Sequence, residues 1–241
     1  MKPTIFFILL FIGITHIQAQ FWTKKVSGNR RITTENRHIG DYDKLSVMGP
    51  FKVEIIRGAP GNLEIKADEN LLQYIETYTK GNKLVIRINP EFTIIDYAKM
   101  DVKVPADYLS KITLTGSGEI YNTQVFDWKN LKLNLTGTGK IDIRTEVKHI
   151  TATLVGSGDI VLTGTAVTSK YILTGSGLIS AKELKAQEVK ATLTGSGEIR
   201  LQAVNKLTAD VMGNGNIYYY GEPDVLKIKT LGTGDVIFKK L

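Results

Sequence analysis

Four carboxylates recur in one place, directly after the second glycine of a Gly-x-Gly tripeptide: Glu119, Asp159, Glu198 and Asp235. Paired carboxylates at a fixed spacing are what glycoside hydrolysis needs, one as acid and the other as base or nucleophile. The same groups could give oxygen ligands to calcium held between neighbouring turns of the chain. The glycine tripeptides could cradle a phosphate if each opened a helix whose first amides met the anion. Histidine offers less. His16, His38 and His149 are scattered, and the chain has no cysteine, so a zinc centre or nucleophilic triad has no visible parts.

The surroundings weaken each of these chemistries. Ile or Val stands two positions after every second glycine and opens an apolar alternation, so a strand follows where a phosphate loop would need a helix. The position after the second glycine reads Glu119, Lys140, Asp159, Leu178, Glu198, Asn216, Asp235, and Lys140 and Leu178 interrupt any shared ion. If the units stack at strand spacing, alternate acids lie about 9.5 Å apart, the upper end of the range for an inverting pair. Avoidance of stacked like charge explains the alternation more simply. Units this short also leave no long loops to wall a substrate cleft. No catalytic, cofactor or metal residue is expected, although a polysaccharide-active enzyme using Asp159 and Glu198 is an alternative to test.

What must position all these residues is a repeat. The first glycine falls at 116, 137, 156, 175, 195, 213 and 232, in units such as LTGSGEI, LTGTGKI and LVGSGDI. Period-two alternation points Leu114, Gly116, Gly118 and Ile120 inward and Thr115, Ser117 and Glu119 outward. A third apolar position recurs near Val147, Val167, Leu184, Val204 and Val225. A unit of about 19 residues holds about three short strands and tight corners, with no room for a helix. One coil cannot bury its own inward row, but parallel stacking turns each repeated Leu or Ile into a column. The fold expected is all-β, a right-handed parallel β-helix of about seven Gly-x-Gly coils, the hand following the general preference of parallel crossovers.

Before the repeat, residues 1–20 read as a signal peptide: Lys2, then the apolar run Ile5–Ile14, then Ala19 as the small residue near cleavage. That run is too short to span a bilayer, and no second one exists, so an exported protein that is not integral to the membrane is expected in the periplasm, at the cell surface or outside. With 31 basic and 24 acidic residues the net charge is +7, or +6 once Lys2 leaves. No Lys/Arg block accompanies it, so nucleic acid is not an expected partner.

Residues 21–105 are expected to form a β-rich N-terminal cap and first coils, continuous as one domain with the repeat at 106–241. Phe51, Val53 and Ile55 alternate, as do Leu84, Ile86 and Ile88, and Gly81-Asn82 suits a hairpin turn. The Gly-x-Gly motif is not found there, and Asp68–Glu76 reads as a short helix capped by Asp68 or Asn70.

The glycine units, the segment Phe51-Lys52-Val53-Glu54-Ile55 and the stretch from Asn70-Leu71-Leu72 to Leu84-Val85-Ile86 resemble the head-GIN-domain family of putative autotransporter adhesins over essentially the whole mature chain. The resemblance implies a secreted β-helix from a Gram-negative bacterium and no established catalytic residues. Two surfaces could bind a glycan or protein of envelope or host. One is a pair of hydroxyl rows, Thr115/Ser117, Thr136/Thr138, Thr174/Ser176 and Thr194/Ser196, although small hydroxyl residues also simply suit stacked strands. The other is aromatic: Tyr218 and Tyr220, expected outward, with Phe126 and Trp128 in the longest coil. A structural module that associates with itself is a further alternative, and the oligomeric state is open.

Overall fold

The computed structural model describes residues 23–240, so the expected signal peptide lies outside the described residues. Leu135, Leu154 and Leu173 stand one above another in a parallel ladder, as the repeat requires. Lys140–Gly156, Asp159–Gly175, Leu178–Gly195 and Glu198–Gly213 are long bent strands, each paired in parallel with the next. Asn216–Tyr220 and Val225–Gly232 stack on Glu198–Gly213, and Val236–Phe238 stacks in turn on Asn216–Tyr220 to end the solenoid among the described residues. The chain is a β-solenoid of stacked parallel coils.

The coils continue upstream of the marked repeat. Lys44–Met48 and Lys52–Ile56 pair in parallel with Lys111–Gly116 and Glu119–Asn122. Between them Gly49, with φ of +121°, sits under Gly116 and donates its N–H to the Thr115 carbonyl at 3.0 Å. Gly49-Pro50-Phe51 is therefore a further corner that the search for Gly-x-Gly passes over. One more layer lies beyond it: Lys83–Ile88 and Met100–Pro105 pair in parallel with the other faces of Lys44–Met48 and Lys52–Ile56. Residues 83–105 thus stack outside residues 44–56 and not between them and the next coil. Residues 89–99 leave the wall at the place where that outermost layer would turn its corner, and the wholly buried Phe51 and the side chain of Ile88 both lie close to Gly49 there.

One core runs through the stack from Ile39 to Val236. Ile120, Ile141, Ile160, Ile179, Ile199 and Ile217 form one aliphatic column, all fully buried. Tyr171 stands between Ala152 and Ala191, a large ring flanked by small residues, and burial pushes its hydroxyl pKa up. The third apolar row differs from expectation. Val147 and Leu184 are buried, but Val167 and Val225 are exposed, and Ala166, Ala186 and Ala203 continue inward from Val147. Register shifts of one residue near Val161/Thr163 and of three near Ala181/Lys185 are both odd, and an odd shift exchanges the inner and outer positions of a period-two pattern.

At each corner the backbone of one coil lies on the backbone of the next. The Gly116 carbonyl accepts N–H bonds from Thr138 (3.1 Å) and Gly139 (2.9 Å), and the Gly118 carbonyl accepts one from Lys140 (2.9 Å). Gly137 has φ of +120°, and a Cβ there would meet the Gly116 carbonyl oxygen at 2.6 Å. A Cβ on Gly139 would meet the Gly118 oxygen at 2.5 Å. The first glycine is required by conformation and by space, the second by space alone. Gly137→Ala should cost about 3 kcal/mol or more in denaturant unfolding, whereas Thr138→Ala at the exposed middle position should stay within about 0.5 kcal/mol.

The N-terminal end is covered by antiparallel additions, Ile32–His38 on Asn62–Asp68 and Ile75–Lys80 on Lys83–Ile88 across the expected Gly81-Asn82 turn. The segment read as a helix is a 3₁₀ helix, Glu69–Tyr74, running into a strand. Asp68 precedes it but its side chain does not cap it. The carboxylate is fully buried and accepts N–H bonds from Arg30 (2.6 Å), Ala98 (2.9 Å) and Lys99 (3.1 Å), tying three segments together. Burial opposes its charge, yet these amides outweigh burial and hold the pKa below the usual carboxylate range. A pKa lower in the folded state contributes stability that is complete above the unfolded value near 4 and fades as pH falls through it toward the folded value. Asp68→Asn should therefore cost about 2 kcal/mol at pH 7 and flatten the loss of stability between about pH 5 and pH 3, as read by denaturant titration.

Candidate functional site

The residues read as outward in each coil do form columns, because register is kept along the stack. Thr115, Thr136, Thr174 and Thr194 share one column on the wall that precedes the corner, with Val155 between Thr136 and Thr174 and with Met212 and Leu231 at its end. Thr194 is half-buried and the other three threonines are exposed. Ser117, Thr138, Ser176 and Ser196 are all exposed but stand on the bend, at the edge of that wall and not beside the threonines on its flat part. The wall instead has a second polar column two residues upstream, with Ser46, Thr113, Asn134 and Thr153 in successive layers. Period-two alternation applied one step before the threonine row would have found it.

Tyr218 and Tyr220 lie on the strand after the corner, so the hydroxyl wall and the tyrosine pair are two surfaces and not one. Tyr219, between them, turns toward the core, its ring centroid 5.6 Å from that of Phe238. Both outer tyrosines are half-buried and line a shallow depression with Glu198, Arg200 and Lys239. Arg200 is the register partner of Tyr218 in the coil below, and Lys239 Nζ stands 5.5 Å from the Tyr218 ring centroid. The Glu198 carboxylate accepts a hydrogen bond from Arg200 Nε and holds the guanidinium charged. Arg200 and Lys239 escape a reading by motif, since only coil register brings them to the tyrosines. Aromatic faces beside fixed charges suit a polyhydroxylated ligand, with rings against its apolar face and the ions meeting its hydroxyls.

The other aromatic candidate does not stand. Phe126 and Trp128 are completely buried, their rings 4.8 Å apart, and Trp128 Nε1 donates to the Asp107 carbonyl at 3.1 Å. They fill the inside of the wide first coil, and Arg57 lies over the Phe126 ring with its guanidinium carbon 5.0 Å from the centroid.

The carboxylate column follows its expected register, from Glu119 through Lys140, Asp159 and Leu178 to Glu198 and Asn216. Lys52 precedes Glu119 and forms an ion pair with it at 3.4 Å. Leu178 separates Asp159 from Glu198. Among the described residues no group of three or more His, Cys, Asp or Glu side chains is placed to hold a metal. His149 is exposed, with Nδ1 hydrogen-bonded to Thr168 Oγ1 at 2.8 Å, and His38 Nδ1 contacts Asn62 Oδ1 at 3.1 Å. No described helix is long and apolar enough to cross a membrane.

Comparison with known proteins agrees with this architecture. A crystal structure of a putative adhesin from Bacteroides fragilis is 24% identical, covering 89% of this chain and all of that one, with a TM-score of 0.85. Two from Parabacteroides distasonis, a putative lipid binding protein and a putative adhesin, are each 23% identical over 90% of this chain and all of theirs, with TM-scores of 0.77 and 0.74. These likenesses establish the fold. No curated protein matches the sequence. Residues 41–223, from the first inner layer through the tyrosine strand, match the family described as putative auto-transporter adhesin, head GIN domain, and the chain belongs to that family.

Proposed function

We propose that this protein is exported and serves the cell envelope or surface as a non-enzymatic binding scaffold, recognising a glycan or a protein through its side walls. The observation that carries the reading is the tyrosine depression: two outward rings held half-buried beside Arg200, Glu198 and Lys239 on a backbone-braced stack. A rigid platform loses little entropy on binding, so a shallow site can still discriminate. Family membership supports a surface role, and the acid column supports no catalytic pair, with Leu178 standing between Asp159 and Glu198. Binding to a glycan array or to whole cells should fall at least about fivefold in the double variant Tyr218→Ala/Tyr220→Ala, while its thermal unfolding changes little. Undiminished binding would remove the tyrosines from the site. Reducing ends released from any polysaccharide, and lost in Asp159→Asn or Glu198→Gln, would replace the scaffold with an enzyme.

A second reading has its own observation. Among the described residues nothing covers the last coil, and Leu226 and Ile228, which continue the inward columns of Leu207 and Ala209, are 43% and 45% exposed. A self-associating module would join copies at this end. Light scattering over a range of concentrations should then show a mass that rises with concentration and returns to the monomer in Ile228→Lys.

A further inference from the structure

The lysines that the sequence scatters are gathered by the register into one file. Lys83, Lys44, Lys111 and Lys132 are successive partners in the first four layers of the wall. Beyond Thr151 come Lys170 and Lys190, and beyond Thr208 comes Lys227, so seven of nine layers carry lysine at the same place and the other two carry threonine. At the usual strand spacing the file is roughly 38 Å long. Among the described residues none of the seven takes part in an ion pair. Lys44 Nζ donates to the neutral Asn82 Oδ1 at 3.2 Å.

The carboxylate column of the same stack breaks up like charge with lysine, leucine and asparagine, as stacked strands ordinarily do. The lysine file keeps it. If long side chains were needed only to cover the wall with their stems, Gln, Glu or Arg would serve, and the file contains none. The two largest surface depressions described, about 540 and 390 Å³, both open onto it, one beside Lys44, Lys83 and Lys111, the other beside Lys170 and Lys190.

We infer that this file is a binding rail for a linear acidic polysaccharide, whose carboxylate or sulfate groups meet successive lysines. The next outward column supplies neutral partners that sugar hydroxyls need at five of its nine layers, Ser46, Thr113, Asn134, Thr153 and Thr192; Val85 stands at its first layer, Ile172 interrupts it, and Asp210 and Lys229 end it. A pyranose unit is about as long as the step between coils, so one acid per sugar keeps pace with one lysine per layer. A single-stranded nucleic acid calls for aromatic platforms along the strand, and the outward positions of the nine stacked layers of this wall carry no aromatic residue; Tyr78, on the antiparallel strand beside the outermost layer, has its ring under Arg87. A bilayer calls for a broad basic area with apolar anchors, whereas the file is one residue wide, and the exposed apolar side chains in the column beside the corner are Val155 at the middle and Met212 and Leu231 at the last two layers. The inference rests on the scaffold reading but not on the tyrosine depression.

The test measures binding of the purified protein to dextran sulfate and to polygalacturonate at low salt, with neutral dextran, oligo(dT) and phosphatidylcholine vesicles containing phosphatidylglycerol alongside. Either acidic polymer should bind and lose affinity steeply with salt, and the one preferred names the acid. The triple variant Lys132→Gln/Lys170→Gln/Lys190→Gln should lose about tenfold or more. Lys129→Gln/Lys148→Gln/Lys185→Gln, which removes the same charge from exposed positions off the file, should lose less than about threefold. Arginine at the three file positions should retain binding, and Tyr218→Ala/Tyr220→Ala should leave it unchanged, so failure of the tyrosine reading and failure of the rail are separately visible. The inference is overturned by equal losses in the two triple variants, by no binding to either acidic polymer, or by oligo(dT) or vesicles binding at least as tightly.

Discussion

Each first-glycine carbonyl, from Gly116 to Gly213, accepts two amides from the corner of the following coil, a contact only a chain without a side chain can make. This hydrogen-bonded stacking of bare backbone fixes the height and phase of every coil at the same point. Once the corner is set, the residues on either side have no freedom of register. A slip of one position would expose the Leu135–Leu154–Leu173 and Ile141–Ile160–Ile179 columns and bury the threonines opposite them. The chain has no disulfide to hold the coils, so backbone pairing and aliphatic columns carry the stability.

Exact stacking converts a sequence interval into a surface. Residues about 19 apart become neighbours at strand spacing, so any preference at one repeat position is multiplied along the whole wall. Two unit charges at that spacing in water repel by about 0.9 kcal/mol before salt screens them. That is small beside the contribution of a buried aliphatic column, so the stack tolerates a file of lysines without being distorted by it. It is large beside the usual effect of a surface substitution, so a file kept at seven of nine layers is not neutral to the fold. The acid column, interrupted at Lys140, Leu178 and Asn216, shows the ordinary outcome.

The repeat was legible because glycine, inward Leu and inward Ile recur in fixed phase, and each has one physical reason to be where it is. The upstream layers were not, because their spacing is broken. Residues 83–105 pack outside 44–56, with a hairpin between them in sequence, so no constant interval links the two. Phe51 replaces a second glycine because no corner lies on its outer side, and the space that elsewhere holds a backbone holds its ring. Asp68 looks like a helix cap by type and place, yet its partners at Arg30, Ala98 and Lys99 come from distant segments that no local rule can join. The tyrosines were legible as residues, while Arg200 and Lys239, which complete their depression, become neighbours only through register.

The two ends of the stack are built to opposite effect. At the N-terminal end antiparallel strands are laid against the outermost layer, and Asp68 ties their loops into one lid. At the other end the strand Val225–Gly232 is exposed along its whole length, its backbone edge and the inward Leu226 and Ile228 uncovered among the described residues. Such an edge invites another strand, but it carries Lys227 and Lys229, and antiparallel pairing with a second copy centred on Ile228 would set each lysine opposite another on the same face. A strand with acidic residues at those two places would meet no such penalty. Lys227, which ends the file, and Lys229 in the next column therefore also select what can extend the stack, turning the open edge from a general aggregation hazard into a surface biased toward anionic partners.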